Sequence, residues 1–173
     1  KKETHLTVSD CEFANCSSLV AGSAICYCTP SQQLTVTDTK FKNTYCMNSG
    51  GRGGAIYVEY QDQTPPVLIS GCTFENATAN NCNGNAIVLT QNGNVFHFGY
   101  IENCDFKDCG LSGYVIYYTI SIVQCISLNI IFTYSNHNCG GVHRDTNLPN
   151  QIILNSLSKS GISSEKVEQS YVL

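Results

Sequence analysis

The chain has 173 residues, 13% of them charged, with a formal net charge of −4, no Trp, four Pro, 14 Gly and 11 Cys. That length is one domain, and nine scattered Lys and Arg in a weakly acidic chain exclude the basic-patch chemistry of a nucleic-acid or anionic-membrane binder. Asn, Ser, Thr and Gly number 17, 17, 14 and 14, over a third of the chain, which argues against an all-helical fold; the longest apolar stretch, residues 114–122, is too short and too broken by Thr and Ser to cross a bilayer as a helix.

In chain order the elements repeat. LTVSDCEFANC (6–16) is followed by GSAI (22–25), LTVTDTKFKNT (34–44) by GGAI (53–56), VLISGCTFENA (67–77) by GNAI (84–87), and GYIENCDFKDC (99–109) by GYVI (113–116). The four longer segments superpose without gaps. Phe13, Phe41, Phe74 and Phe106 recur at intervals of 28, 33 and 32, and Phe132 is expected to open a fifth unit ending in a decayed GGVH (140–143). The Gly landmarks keep pace at intervals of 31, 31, 29 and 27. Such a period is the signature of a repeat architecture.

Within one unit Leu34 and Val36 alternate with Thr, the phase slips by one residue, and Thr39 and Phe41 then alternate with Lys. Two short strands joined by a bend fit this pattern, with the Gly segment as a further strand. Cycled about every thirty residues, it predicts an all-β parallel solenoid in which equivalent positions stack about 4.8 Å apart. One inward ladder is then Phe13, Phe41, Phe74 and Phe106, with Phe132 as a candidate fifth rung, and its neighbour Cys11, Thr39, Cys72 and Cys104. Asn15, Asn43, Asn76 and Asp108 form a third ladder on the bend after Phe, where their side chains are expected to cap turn backbone. Gly22, Gly54 and Gly84 are expected to give the tight corners before the Gly-segment strands.

Phe followed closely by Asn, then GGAI, resembles the repeat of chlamydial polymorphic outer-membrane proteins and of related cysteine-bearing surface proteins in protists; GGAIY at residues 53–57 is the best match. The resemblance covers roughly residues 6–143. It implies a right-handed parallel β-helix (solenoid) of the pectin-lyase-like type with about five coils, each about 27–33 residues long. Many members use it as a non-catalytic surface stalk or adhesin. The sequence departs from the bacterial pattern in placing Asn two rather than three positions after Phe, and in its frequent Cys. On this reading residues 1–145 are β-helix coils and 146–173 a terminal cap or the start of a further coil, with a strand at residues 152–154. With no initiator Met and no signal-like segment at Lys1, a mature chain or a fragment of a longer one is expected.

Eleven Cys favour a secreted or cell-surface protein over an intracellular one, and the odd number leaves at least one thiol without an intrachain partner. Cys72 and Cys104, on equivalent positions of adjacent coils, are within disulfide reach; Cys104 with Cys109 and Cys11 with Cys16 are alternatives across a turn, and stacked reduced thiols are another. No metal site or cofactor is expected, since Cys26 and Cys28 are one residue apart and no paired CxxC knuckle or His partner follows.

No catalytic residue is assigned. Glycoside hydrolysis needs facing carboxylates, and only Glu102, Asp105 and Asp108 cluster, with Lys107 beside them as an imitation of a lyase base. His137, His143, Arg144 and Asp145 form a polar group in the decayed fifth unit. GGRGG (50–54) lacks the Lys and Ser/Thr of a phosphate-binding loop, and the single Thr35/Thr37 pair is too isolated for an ice-binding array. Sequons at Asn15 (NCS) and Asn76 (NAT) are candidate glycosylation sites.

Three inserts, residues 28–34, 60–67 and 91–98, fall at corresponding places and are expected to project from one edge. Tyr60, Gln61, Asp62, Gln63, Asn92, Phe96 and His97 are therefore the candidate recognition surface for a protein or glycan. The expected role is a non-catalytic stalk or adhesive surface. A segment of a filament with end-to-end self-association, and a polysaccharide-binding or polysaccharide-cleaving domain, are the alternatives.

Overall fold

Side chains alternate across a strand, so a segment with one buried face keeps a period of two until a turn resets it. In a computed structural model, which describes residues 5–28, 33–48, 52–60, 67–80, 84–92, 99–110, 116–121, 130–137, 142–146, 157–159 and 168–171 (60, 91, 92, 99, 117–121 and those from 130 onward by backbone alone), that reset occurs twice in each repeat. The strands are β1 (His5–Ser9), β2 (Glu12–Ala14), β3 (Ser17–Ser18), β4 (Ile25–Cys28), β5 (Gln33–Thr37), β6 (Lys40–Cys46), β7 (Ile56–Tyr60) and β8 (Leu68–Ser70). They continue with β9 (Thr73–Ala79), β10 (Ile87–Asn92), β11 (Gly99–Lys107), β12 (Ile116–Ser121), β13 (Ile130–His137), β14 (Val142–Thr146), β15 (Leu157–Lys159) and β16 (Glu168–Tyr171). The described residues include no helix, so none is long and apolar enough to cross a membrane.

Every described pairing is parallel and joins neighbouring repeats, an arrangement consistent with a parallel β-solenoid. The ten-stranded sheet curls along two legs, β1-β5-β8-β11 and β2-β6-β9-β11, while the Gly segments supply a six-stranded sheet in the order β4-β7-β10-β12-β14-β16. Phe41 pairs with Phe13 and Phe74, and Phe74 with Phe106. In the second sheet Ile25, Ile56, Ile87, Ile116 and Val142 share one register position. The core lies between the sheets, with Leu34, Val36, Phe41, Ile56, Val58, Ile69, Phe74, Ile87, Leu89, Ile101 and Phe106 almost wholly buried.

Two left-handed residues turn the chain within each of the first four repeats. Asp10, Asp38, Gly71 and Asn103, three positions before each Phe, have φ of 52°, 49°, 65° and 54°; Asn15, Asn43, Asn76 and Asp108, two positions after it, have 56°, 52°, 53° and 53°. Asn, Asp and Gly tolerate this region best. Each such residue inserts one step, so in the second repeat the buried positions run Val36, Thr39, Phe41, Thr44, Cys46. Backbone hydrogen bonds pass straight through the bends, as from Asp38 N to Ser70 O at 3.0 Å and from Asn15 N to Lys42 O at 2.9 Å.

Three expectations change. Phe132 does not extend the Phe ladder: it pairs with Ile101, and Asn136 stands opposite Phe106, because β13 pairs with β11 at an offset of 30 to 31 residues while Phe132 follows Phe106 by only 26. The left-handed corner is Gly53 (φ 68°), in step with Gly22 and Gly84, rather than Gly54. Gly54 is needed for a different reason, since a Cβ there would overlap the carbonyl oxygens of Asn85 and Thr78. The Asn side chains bond to one another instead of capping backbone: Asn43 Nδ2 donates to Asn15 Oδ1, and Asn76 Nδ2 to Asn43 Oδ1, both at 3.0 Å. In the last segment β15 pairs with β13 and β16 with β14, so both sheets reach beyond residue 146, while residues 152–154 lie outside the described residues.

Candidate functional site

The insert edge is the first place to look. Tyr60 and Asn92 end β7 and β10, with Tyr60 in register with Gln91 and Asn92 with Ser121. Gln61, Asp62, Gln63, Phe96 and His97 lie outside the described residues, as do Gly50 and Gly51 of GGRGG. Of the polar group in the fifth unit, His137 pairs along the backbone with Lys107, His143 with Tyr117 and Glu168, and Asp145 with Thr119 and Ser170.

The carboxylates of the fourth repeat do not face one another across strands. Asp105 stands opposite Thr73, and Lys107 opposite Glu75, which is itself 3.5 Å from Lys42 in an exposed ion pair. Glu102 is opposite Ser70. Among the described residues no group of three or more His, Cys, Asp or Glu is placed to hold a metal ion.

Most described thiols have a structural task that follows from the bends. At the first bend of the four repeats the side chain after the left-handed residue donates to the carbonyl two positions back. Thr39 Oγ1 does so to Thr37 O at 2.8 Å, Cys11 to Ser9 O at 3.0 Å, Cys72 to Ser70 O at 3.4 Å and Cys104 to Glu102 O at 3.3 Å. At the second bend Cys16 reaches Ala14 O at 3.7 Å and Cys109 reaches Lys107 O at 3.4 Å. Cys72, Cys104 and Cys109 also reach carbonyls of the preceding repeat, those of Val36, Ile69 and Phe74. Cys and Thr share the position because both are small donors. Cys72 and Cys104 are free, buried thiols in contact. The hydrogen bond with Cys104 lowers the Cys72 thiol against its burial, and the same contact, with burial, pushes the Cys104 thiol far up.

A polar cluster that the sequence did not flag joins Arg52, a bridge residue outside the named strands, to Tyr57 and Glu59 of β7. Arg52 Nη1 donates to Tyr57 Oη at 3.2 Å, and the Tyr57 hydroxyl donates to Glu59 Oε2 at 3.0 Å. The Arg52 guanidinium stands 6.0 Å from the Tyr57 ring centre, within cation–π range. Burial raises the Tyr57 hydroxyl above its ordinary value, and Glu59 adds to the rise while Arg52 opposes it. Beside them, Cys26 is in register with Tyr57 and Cys28 with Glu59. Cys26 and Cys28 are exposed, with their sulfurs 3.9 Å apart. Burial first, then Cys26 and Glu59, push the Cys28 thiol up to about 11. A thiol so raised is protonated at neutral pH, the reverse of an activated nucleophile.

Asn15 and Asn76 are both exposed at their bends. Asn76 already commits its amide nitrogen to Asn43, whereas Asn15 stands at the head of the ladder as an acceptor. Comparison of the chain with protein-family models, with curated proteins and with solved structures finds no match.

Proposed function

We propose that the chain is a non-catalytic, right-handed parallel β-helix, resembling the polymorphic outer-membrane protein repeat of the pectin-lyase-like class, with about five coils, each about 27–33 residues long. It serves as a rigid stalk or recognition surface of a secreted or cell-surface protein and meets protein or glycan along its insert edge. The observation that carries this reading is the unbroken stack of Phe13, Phe41, Phe74 and Phe106, with ring centres 5.3, 4.8 and 4.8 Å apart and planes within 7°. Stacked aromatic ladders lock each repeat to the next, which suits a spacer that bears load and holds loops at fixed intervals.

The test is the intact mass of the protein from its native source, with and without reduction and alkylation, with glycan mapping at Asn15 and Asn76. Disulfides or a glycan support the surface role. Eleven free thiols and two bare Asn residues overturn it in favour of an intracellular structural role.

End-to-end self-association in a filament is the second reading, favoured by the first repeat. Among the described strands, β1 pairs only with β5, β2 and β3 only with β6, and β4 only with β7, so this layer has edges that a second copy or a flanking segment of the same protein would cover. Leu6, Leu19 and Val20 on that repeat are exposed as well. Open parallel edges template further strands.

A further inference from the structure

We propose that Cys26 and Cys28 form a two-thiolate site for a thiophilic divalent d10 ion of the zinc and cadmium kind. The one-residue spacing that argues against a zinc knuckle is the spacing that puts two side chains on one face of a strand. Both thiols stand on the exposed side of β4 while Ile25 and Tyr27, before and between them, are buried. Zinc–thiolate bonds of about 2.3 Å at a tetrahedral angle separate two sulfurs by about 3.8 Å; here they are 3.9 Å apart without any rearrangement. Soft thiolates select this class of ion over hard oxygen-seeking cations.

Two further observations separate this pair from the other cysteines. Cys11, Cys16, Cys72, Cys104 and Cys109 each donate to a carbonyl at a bend, and the touching Cys72 and Cys104 are buried, whereas Cys26 and Cys28 touch each other on an exposed face. Both thiols are also open to solvent from above the face of β4, whose described pairing is with β7 alone. On binding, each thiol releases its proton to solvent as its S–metal bond forms, and nothing is oxidised or reduced. With no third His, Cys, Asp or Glu completing a set among the described residues, the remaining coordination positions fall to water or to the same pair on a second copy.

The experiment is an anaerobic titration of the reduced full chain with cadmium alone, reading the thiolate-to-cadmium charge-transfer band and the metal bound per chain, for the wild type, Cys26→Ser, Cys28→Ser and the control Cys11→Ser. Loss of the band in both β4 variants and its retention in the control support the site. One ion per chain means completion by water, and one ion per two chains with a doubled mass means completion by a second copy. A wild type that binds no cadmium, or β4 variants that bind as the wild type does, overturn the proposal. Should either variant lose its far-ultraviolet β-spectrum, phenylarsine oxide on the wild type decides instead. It condenses with two neighbouring thiols to release water, and the adduct must map to the peptide holding Cys26 and Cys28; an adduct found only elsewhere overturns the site.

Discussion

The rings of Phe41 and Phe74 lie 4.8 Å apart and 5° from parallel, although a full repeat of chain separates them. Phe74 is stacked on both faces, whereas Phe13 is stacked on one and only half-buried. Phe74→Ala should therefore cost about 3–5 kcal/mol, in the range of large-to-small changes in a closed core, and Phe13→Ala less than half of that. Urea denaturation midpoints compare the two; equal losses would mean that the stack adds nothing beyond burial.

Asn43 combines a left-handed backbone with a place inside the amide ladder. Asn43→Gly removes the ladder bonds but keeps the conformation, and Asn43→Ala removes the bonds and adds about 1 kcal/mol of backbone strain. Stability should fall in the order wild type, Gly, Ala, with Ala about 2 kcal/mol below wild type. An Ala variant as stable as the Gly variant would sink this account.

The carbonyl-seeking position after each bend tests which property of Cys72 matters. Thr39 occupies the equivalent place with its hydroxyl bonded, so Cys72→Thr should be tolerated. Cys72→Val, similar in shape but without a donor, should be less stable than Thr by about 1 kcal/mol. Thermal unfolding under reducing conditions distinguishes them.

The buried hydroxyls of Tyr27 and Thr44 have no hydrogen-bond partner among the described residues. A buried donor left unmade costs free energy, so Tyr27→Phe and Thr44→Val should each hold or raise stability, by up to about 1–2 kcal/mol. A loss in both, seen as a lower denaturation midpoint, would show that the hydroxyls are satisfied in solution.

Cys28, raised from 9.0 to about 11, gives a pH test. Because the folded state holds the proton more tightly than the unfolded chain, its contribution is fully present below about pH 9 and lost as pH climbs through 11. Iodoacetamide alkylation of Cys28, followed by peptide mass spectrometry, should rise with a midpoint near 11. Cys26→Ser should lower that midpoint without restoring 9.0, since burial is the larger cause.

Much of this fold was written in recurrence. Phe13, Phe41, Phe74 and Phe106 are one residue type at one structural place, so their spacing is visible as letters. The bends at Asp10, Asp38, Gly71 and Asn103 are as regular, but they share only tolerance of positive φ, and three residue types hide the ladder. Phe132 misleads for the opposite reason: the letter recurs, but only 26 residues after Phe106 where the strand pairing runs at an offset of 30 to 31, so it falls on the ladder of Ile101. Cys26 and Cys28 were visible as a pair, yet their meaning depends on the strand period, which sets both thiols on one face. The Arg52, Tyr57 and Glu59 cluster joins a bridge residue outside the named strands to β7, a contact no local pattern announces.

The amide ladder runs one way. Asn76 gives its proton to Asn43, and Asn43 gives its own to Asn15, so every rung points its donor toward the chain's beginning. At the far end Asp108 replaces the amide by a carboxylate, which accepts but cannot give. The stack is thus vectorial: a layer laid before the first repeat continues it with another Asn, the break falls between Asn76 and the carboxylate that cannot give to it, and a rung beyond Asp108 would find an acceptor waiting.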